Sequence, residues 1–192
     1  MTGRTHDLAA FTALVVIFVY WPEIPVMTLP TAVVAFSANF LGGLFPDIDQ
    51  PTSDFWDNFR LGPFVAKIVC PLFGGHRHIS HSLFGVVLIG FLSHLFLQLI
   101  ATIILIDMNI VWFSFMIGIL SHLVADLFTK EGLPLLWPVR WKIGIPPLKS
   151  LRLVTGGIVE TVVAFPGLLL LTAYLLFTHQ DKVLEFLHRY IR

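Results

Sequence analysis

Histidines and carboxylates recur in this chain in five short groups: His6; Asp47 and Asp49; His76, His78 and His81; His122 and Asp126; and Glu160. They stand in a very apolar sequence, 56% hydrophobic, with a mean hydropathy of +0.85. Ionisable groups beside hydrocarbon are costly, so by default they mark a functional site. Imidazoles and carboxylates without a thiolate pair are the ligand set for a hard or borderline cation, zinc or manganese. A zinc ion so held would activate a water for hydrolysis.

Each group also has a plainer reading. His122 and Asp126, in SHLVAD, are four apart and share a helical face. They are a ready ligand pair, or else a His–Asp hydrogen bond between helices. Asp47 and Asp49 follow glycines and a proline in GGLFPDIDQP, which should stop a helix and force a turn. They can meet one ion, bridge two, or face water. GGHRHISHS puts three histidines within six residues. There Arg77 is suited to hold a phosphate or carboxylate oxygen. Ser80 and Ser82 are candidate helix caps; the plain alternative is a histidine-rich loop at the headgroups. His6 alone is an ordinary interfacial histidine. Glu160, one turn into an apolar segment, needs a partner: a metal, a water to which it is general base, or a basic group such as Arg152. His94 falls in mid-helix and suits an interhelical hydrogen bond. Glu131, Asp54 and Asp57 fall in loops.

These groups need helices to position them. Apolar runs predict five membrane-crossing segments, at about 6–21, 29–45, 81–106, 110–129 and 156–178. Pro166 should kink the fifth. Segment 62–74 is apolar but too short to cross, and Lys67 and Pro71 interrupt it, so it suits a re-entrant or interfacial helix. From Asp181 onward, Val183, Leu184, Leu187 and Ile191 share one face, as in an amphipathic interfacial helix. The expectation is one all-α domain, a polytopic membrane bundle spanning residues 1–192.

Basic residues orient it. The N-terminus and the loops 46–80 and 130–155 hold Arg4, Arg60, Lys67, Arg77, Lys130, Arg140, Lys142, Lys149 and Arg152; the opposite side holds only Lys182, Arg189 and Arg192. The first set is expected in the cytoplasm. All five ligand groups then fall at cytoplasmic helix ends, although none was used to assign the orientation.

Composition narrows the function. Lys plus Arg, at 12, equals Asp plus Glu, at 12, so no basic surplus points to nucleic acid. The single cysteine, Cys70, allows no intrachain disulfide and reads as a buried thiol. Leu8 to Trp21 lacks a signal-peptide cleavage pattern and reads as a retained helix. The outer helix halves are almost wholly apolar, which disfavours a transport path.

GLFPDID, HRHISHS and SHLVADLFTKEG, in that order, resemble the inner-membrane metal-dependent hydrolases, also described as LexA-binding, inner-membrane-associated hydrolases. The resemblance covers nearly the whole chain. His78 departs from it, standing where the family usually has glycine, and Ser80 stands where threonine is common. That family is distantly similar to zinc-dependent phospholipase C and P1 nuclease. The similarity implies that His122 and Asp126 form an HxxxD ligand pair and that Glu160 is a late carboxylate ligand. Gly156 stands where that group has a further histidine, which implies one or two ions rather than three.

The expected ligands are therefore His6, Asp47, Asp49, His76, His81, His122, Asp126 and Glu160. Asp49 or Glu160 would be the general base, and Arg77 would neutralise a phosphate. The expected substrate is a phosphoester, with a phospholipid reached from the bilayer as one form. The competing expectation is a non-enzymatic membrane regulator or interaction protein with a structural metal site.

Overall fold

A computed structural model describes residues 1–23, 27–57, 60–73, 79–139 and 141–190. The fold is all-α. The long helices are α1 (Gly3–Tyr20), α2 (Leu29–Leu44), α5 (Leu83–Ala101), α6 (Met108–Leu127) and α7 (Phe165–Thr178). Between α2 and α5 lie a 3-10 turn (Phe45–Asp49) and two short helices, α3 (Asp54–Asp57) and α4 (Gly62–Val69). One π-helical turn (Glu160–Ala164) leads into α7, and α8 (Gln180–Tyr190) ends the chain.

Among the described residues, four segments are long and apolar enough to cross a membrane: Leu29–Asp49, Leu83–Ala101, Met108–Leu127 and Glu160–Thr178. The first expected crossing, α1, is not among them, because Arg4, His6 and Asp7 make its opening turns polar. It nevertheless packs as a full member of the bundle, against α2, α6 and α7. The third crossing is shorter than expected. It stops at Ala101, and Asp107, held extended, then caps α6 through the amides of Asn109 and Ile110.

The centre of the bundle is the α2–α6 crossing. A Cβ on Gly118 would lie 2.2 Å from the Asn39 carbonyl oxygen, and one on Gly42 would lie 2.1 Å from that of Phe115. Only glycine permits this approach, and small residues let membrane helices pack closely. The two glycines before the aspartates therefore do not end α2 as expected. They lie inside it, Gly42 against α6 and Gly43 against Ala10 of α1, and the turn follows at Phe45. Asn39 Nδ2 donates to the Ser114 carbonyl at 3.1 Å across the same contact.

Polar contacts join other helix pairs as well. The Thr12 and Thr172 hydroxyls meet at 2.7 Å between α1 and α7, and Trp112 Nε1 donates to the Gly90 carbonyl at 2.8 Å between α6 and α5. His94 was expected to hydrogen-bond between helices. It instead meets the Trp112 ring edge-on, with centroids 5.2 Å apart. The predicted interfacial segments form as α4 and α8.

Candidate metal centre

The 3-10 turn after α2 carries Asp47 and Asp49. It is held by Ser53 Oγ donating to the Asp47 carbonyl at 2.8 Å, and by Trp56 Nε1 and Cys70 Sγ on the Ile48 carbonyl. Cys70, Trp56 and Ala66 form a small buried core beneath it. The thiol is thus a packing group, as the apolar run suggested. On the other side of the bundle end, Ser82 caps α5 through the Gly85 amide, and the Leu83 amide donates to the Leu135 carbonyl. These bonds fix the entry to α5 just after His81.

Six of the expected residues then converge. His6, Asp49, His81, His122 and Asp126 are each no more than 1% exposed, while Asp47 is partly open at 20%. His6 comes from the first turn of α1 and stacks flat on His122, centroids 3.6 Å apart. His81 meets His122 edge-on at 5.3 Å. His122 and Asp126 come from the last two turns of α6.

Hydrogen bonding sets the tautomers. His122 Nδ1 lies 2.6 Å from the Gly43 carbonyl oxygen. A carbonyl only accepts, so Nδ1 carries the proton and Nε2 has its lone pair. The close α2–α6 crossing is what brings this carbonyl to the ring. The Ser80 hydroxyl donates to Asp49 Oδ2. With its one proton spent there, Ser80 Oγ accepts from His81 Nδ1, 2.9 Å away. The Nε2 of His81 faces the same space as that of His122.

That space is framed by carboxylate oxygens. Asp47 Oδ1 lies 3.6 Å from His81 Nε2 and 3.7 Å from His122 Nε2. Asp126 Oδ2 lies 3.9 Å from each of the two, and Asp126 Oδ1 lies 3.3 Å from His6 Nε2. The distances from Asp47 Oδ1 and Asp126 Oδ2 are too long for direct hydrogen bonds. Ligands at about 2.0–2.1 Å from a tetrahedral ion stand roughly 3.4 Å from one another, so the spacing suits a shared cation. Among the described residues, two ligand groups have ligand atoms within 4.8 Å of one another, His6–Asp47–His122 and His81–His122–Asp126, with His122 common to both. His122 Nε2 is buried without a hydrogen-bond partner, which suits a ligand atom. Burial works against a charge on His81, but the neighbouring carboxylates of Asp47 and Asp49 outweigh it and raise its pKa. The same negative surroundings favour a metal cation.

Two expected ligands take other places. Asp49 lies behind His81, on its Nδ1 side, at 3.5 Å. It positions that ring, in the arrangement by which carboxylates orient metal-binding histidines. Glu160 accepts from the Thr2 amide at 2.7 Å, the Thr2 hydroxyl at 2.9 Å and the Gly156 amide at 2.8 Å. Its carboxylate ties the start of α1 to the π-helical turn. Arg152 does not answer it; the guanidinium instead binds the carbonyls of Gly144, Pro146 and Pro147. His76, Arg77 and His78 lie outside the described residues.

The spacing of residues did not reveal the Gly43 carbonyl, the role of Ser80 as a bridge rather than a cap, or Lys130. Lys130 and Asp47 line a cavity of about 510 Å³ beside the cluster, together with Glu131, Gln50 and Ser53. The Met1 amino group also reaches Asp126 Oδ1.

This arrangement of helix ends lies wholly within a family match. Residues 1–183 match the YdjM inner membrane protein family. The chain belongs to that family. It is 30% identical over 174 residues to the uncharacterized protein YvsG of Bacillus subtilis (strain 168), an alignment covering 91% of this chain and 93% of that one. It is 35% identical over 112 residues to the inner membrane protein YdjM of Escherichia coli (strain K12), covering 55% of this chain and 50% of that one. The YdjM of Shigella flexneri matches to the same extent. No solved structure gives a significant match. Family membership and the apolar helices together make this an inner-membrane protein.

Proposed function

We propose that this protein is a metal-dependent hydrolase of the inner membrane, acting on a phosphoester at the cytoplasmic surface. One observation carries the reading: two buried imidazoles, each with Nδ1–H tied to a fixed acceptor, aim their Nε2 atoms at one carboxylate oxygen. His81, His122, Asp47 and Asp126 would hold the ion, with His6 stacked beside them. A bound zinc or manganese ion supplies Lewis acidity and lowers the pKa of a water to about 7.

The chain's own residues do the rest. Asp49 and Ser80 orient His81. Asp47 is the carboxylate of the cluster that lines the open cavity, so it is the ligand that an entering water or substrate meets first. Lys130, in the same cavity, is placed to neutralise a phosphate. Asp49 and Glu160 are both engaged elsewhere, so neither takes the general-base role.

The burial of the cluster favours one second reading. An ion there would tie α1, the turn after α2, the entry to α5, and α6 together, as a structural staple in a regulator or interaction protein.

Metal analysis of detergent-purified protein, beside an His122→Ala/Asp126→Ala variant, separates these readings. The hydrolase account expects about one equivalent of zinc or manganese, lost in the variant, and metal-dependent turnover of bis(p-nitrophenyl) phosphate or a phospholipid. Metal without turnover of any phosphoester, together with loss of thermal stability on chelation, supports the staple. No metal after reconstitution overturns both. For sidedness, a cysteine replacing Glu131 should react with an impermeant maleimide only after the membrane is opened. Labelling in intact spheroplasts would put the site on the outer face.

A further inference from the structure

We propose that a groove between α1, α6 and α7 seats an acyl chain of a phosphate-ester lipid whose headgroup lies at the metal centre. The groove has a volume of about 730 Å³, within the range of ligand pockets. Val16, Ile117, Leu120, Val124, Leu168 and Leu171 are among its walls. Its two hydroxyl-bearing side chains are turned inward: Thr12 Oγ1 donates to the Leu8 carbonyl and Ser121 Oγ to that of Gly118, each at 2.7 Å. The groove therefore presents hydrocarbon alone and suits an alkyl chain rather than a polar ligand.

Its depth and direction fit one leaflet. The wall runs along α1 from Ala9 to Ile17 and along α6 from Ala125 back to Ile117. Eight residues of helix span about 12 Å, close to the roughly 15 Å of one leaflet's hydrocarbon in a core about 30 Å thick. From Val163 in the π-helical turn to Leu171 on α7 it runs in the same sense. All three helices lead from the ligand-bearing end toward the membrane middle.

The upper end meets the site. Ala125, in the groove, precedes Asp126; Leu153, in the groove, precedes Val154, which lines the polar cavity with Lys130 and Asp47. A lipid with its chain in the groove would bring its phosphate beside that lysine, a charge match continuous with the apolar seat. Gly167 keeps the seat open, since a Cβ there would meet no atom within 4 Å. A larger side chain at this position would fill the groove without striking the protein. The headgroup part of this proposal rests on the metal-centre reading; the chain's seat does not.

The test uses the full chain in phosphatidylglycerol nanodiscs doped with phosphatidylglycerol carrying a diazirine near the middle of its acyl chain. After photolysis, labelled residues are mapped by mass spectrometry. Label should concentrate on the groove, at Val16 and Leu120, above the exposed face of α5 at Val87, Phe91 and Leu95. Gly167→Leu should reduce groove labelling about tenfold, the discrimination a pocket makes over a methylene or so. Its α5 labelling and melting temperature should be unchanged. Equal labelling of groove and α5 in the unsubstituted protein overturns the seat, and that comparison needs no variant. Groove labelling unaffected by a folded Gly167→Leu variant overturns it too. Zinc measured on the same samples keeps the two readings apart. Groove labelling without zinc retains the chain seat and removes the metal reading, whereas zinc without preferential labelling does the reverse.

Discussion

The two ends of the helix bundle are built by different rules. At one end, His6, Asp49, His81, His122 and Asp126 are buried together, with Asp47 at the edge. At the other, α8 closes the bundle mainly through Lys182 Nζ on the carbonyls of Val19 and Trp21, each at 2.8 Å, and a Phe18–Phe186 ring contact. A cation on the last carbonyls of a helix suffices to finish that helix. The far end shows how little polarity this fold needs. The polarity at the near end exceeds that need, and buried charge without compensation is destabilising. Its surplus is the physical sign of a site.

The comparison breaks most severely when a ligand is removed. His81→Ala or His122→Ala should lower zinc affinity beyond the roughly 10–100-fold known for outer-shell partners, as measured by competition with a chromogenic chelator. A variant retaining wild-type affinity would remove that imidazole from the site. Ser80→Ala, which touches only the positioning of His81, should fall inside that 10–100-fold range, with Ser80→Thr retaining most of the affinity. Gly118→Val sharpens the comparison from the packing side. Its Cβ would strike the Asn39 carbonyl, and overpacking costs about 1–3 kcal/mol, read as a lower unfolding temperature in detergent. Zinc affinity should drop with it, because the same crossing brings the Gly43 carbonyl to His122. Thr172→Val, which removes one interhelical hydroxyl contact, should cost only about 0.6 kcal/mol and leave metal binding unchanged.

Much of this was legible in the sequence. Apolar run lengths located the long helices because hydrocarbon admits little else. The four-residue spacing of His122 and Asp126 put both on one helical face. The alternation of the crossings put the described ligand candidates at one set of helix ends. What stayed hidden depended on contacts between segments. Gly42 and Gly43 read as a helix stop because glycine is a poor helix former; in fact a partner helix requires them. Asp49 and Asp47 were indistinguishable at a spacing of two, and only the position of Ser80 sends one behind His81 and the other to the centre. Glu160 looked like a ligand because a lone carboxylate in an apolar helix needs partners, and two backbone amides and a hydroxyl supply them.

The central claim is that His81, His122, Asp47 and Asp126 hold one cation, and X-ray absorption at the zinc edge of the loaded protein tests it most directly. The account predicts a shell of nitrogen and oxygen alone at about 2.0–2.1 Å, with imidazole scattering that weakens in His122→Ala. A sulfur shell at about 2.3 Å, or an oxygen-only shell without imidazole, would contradict it.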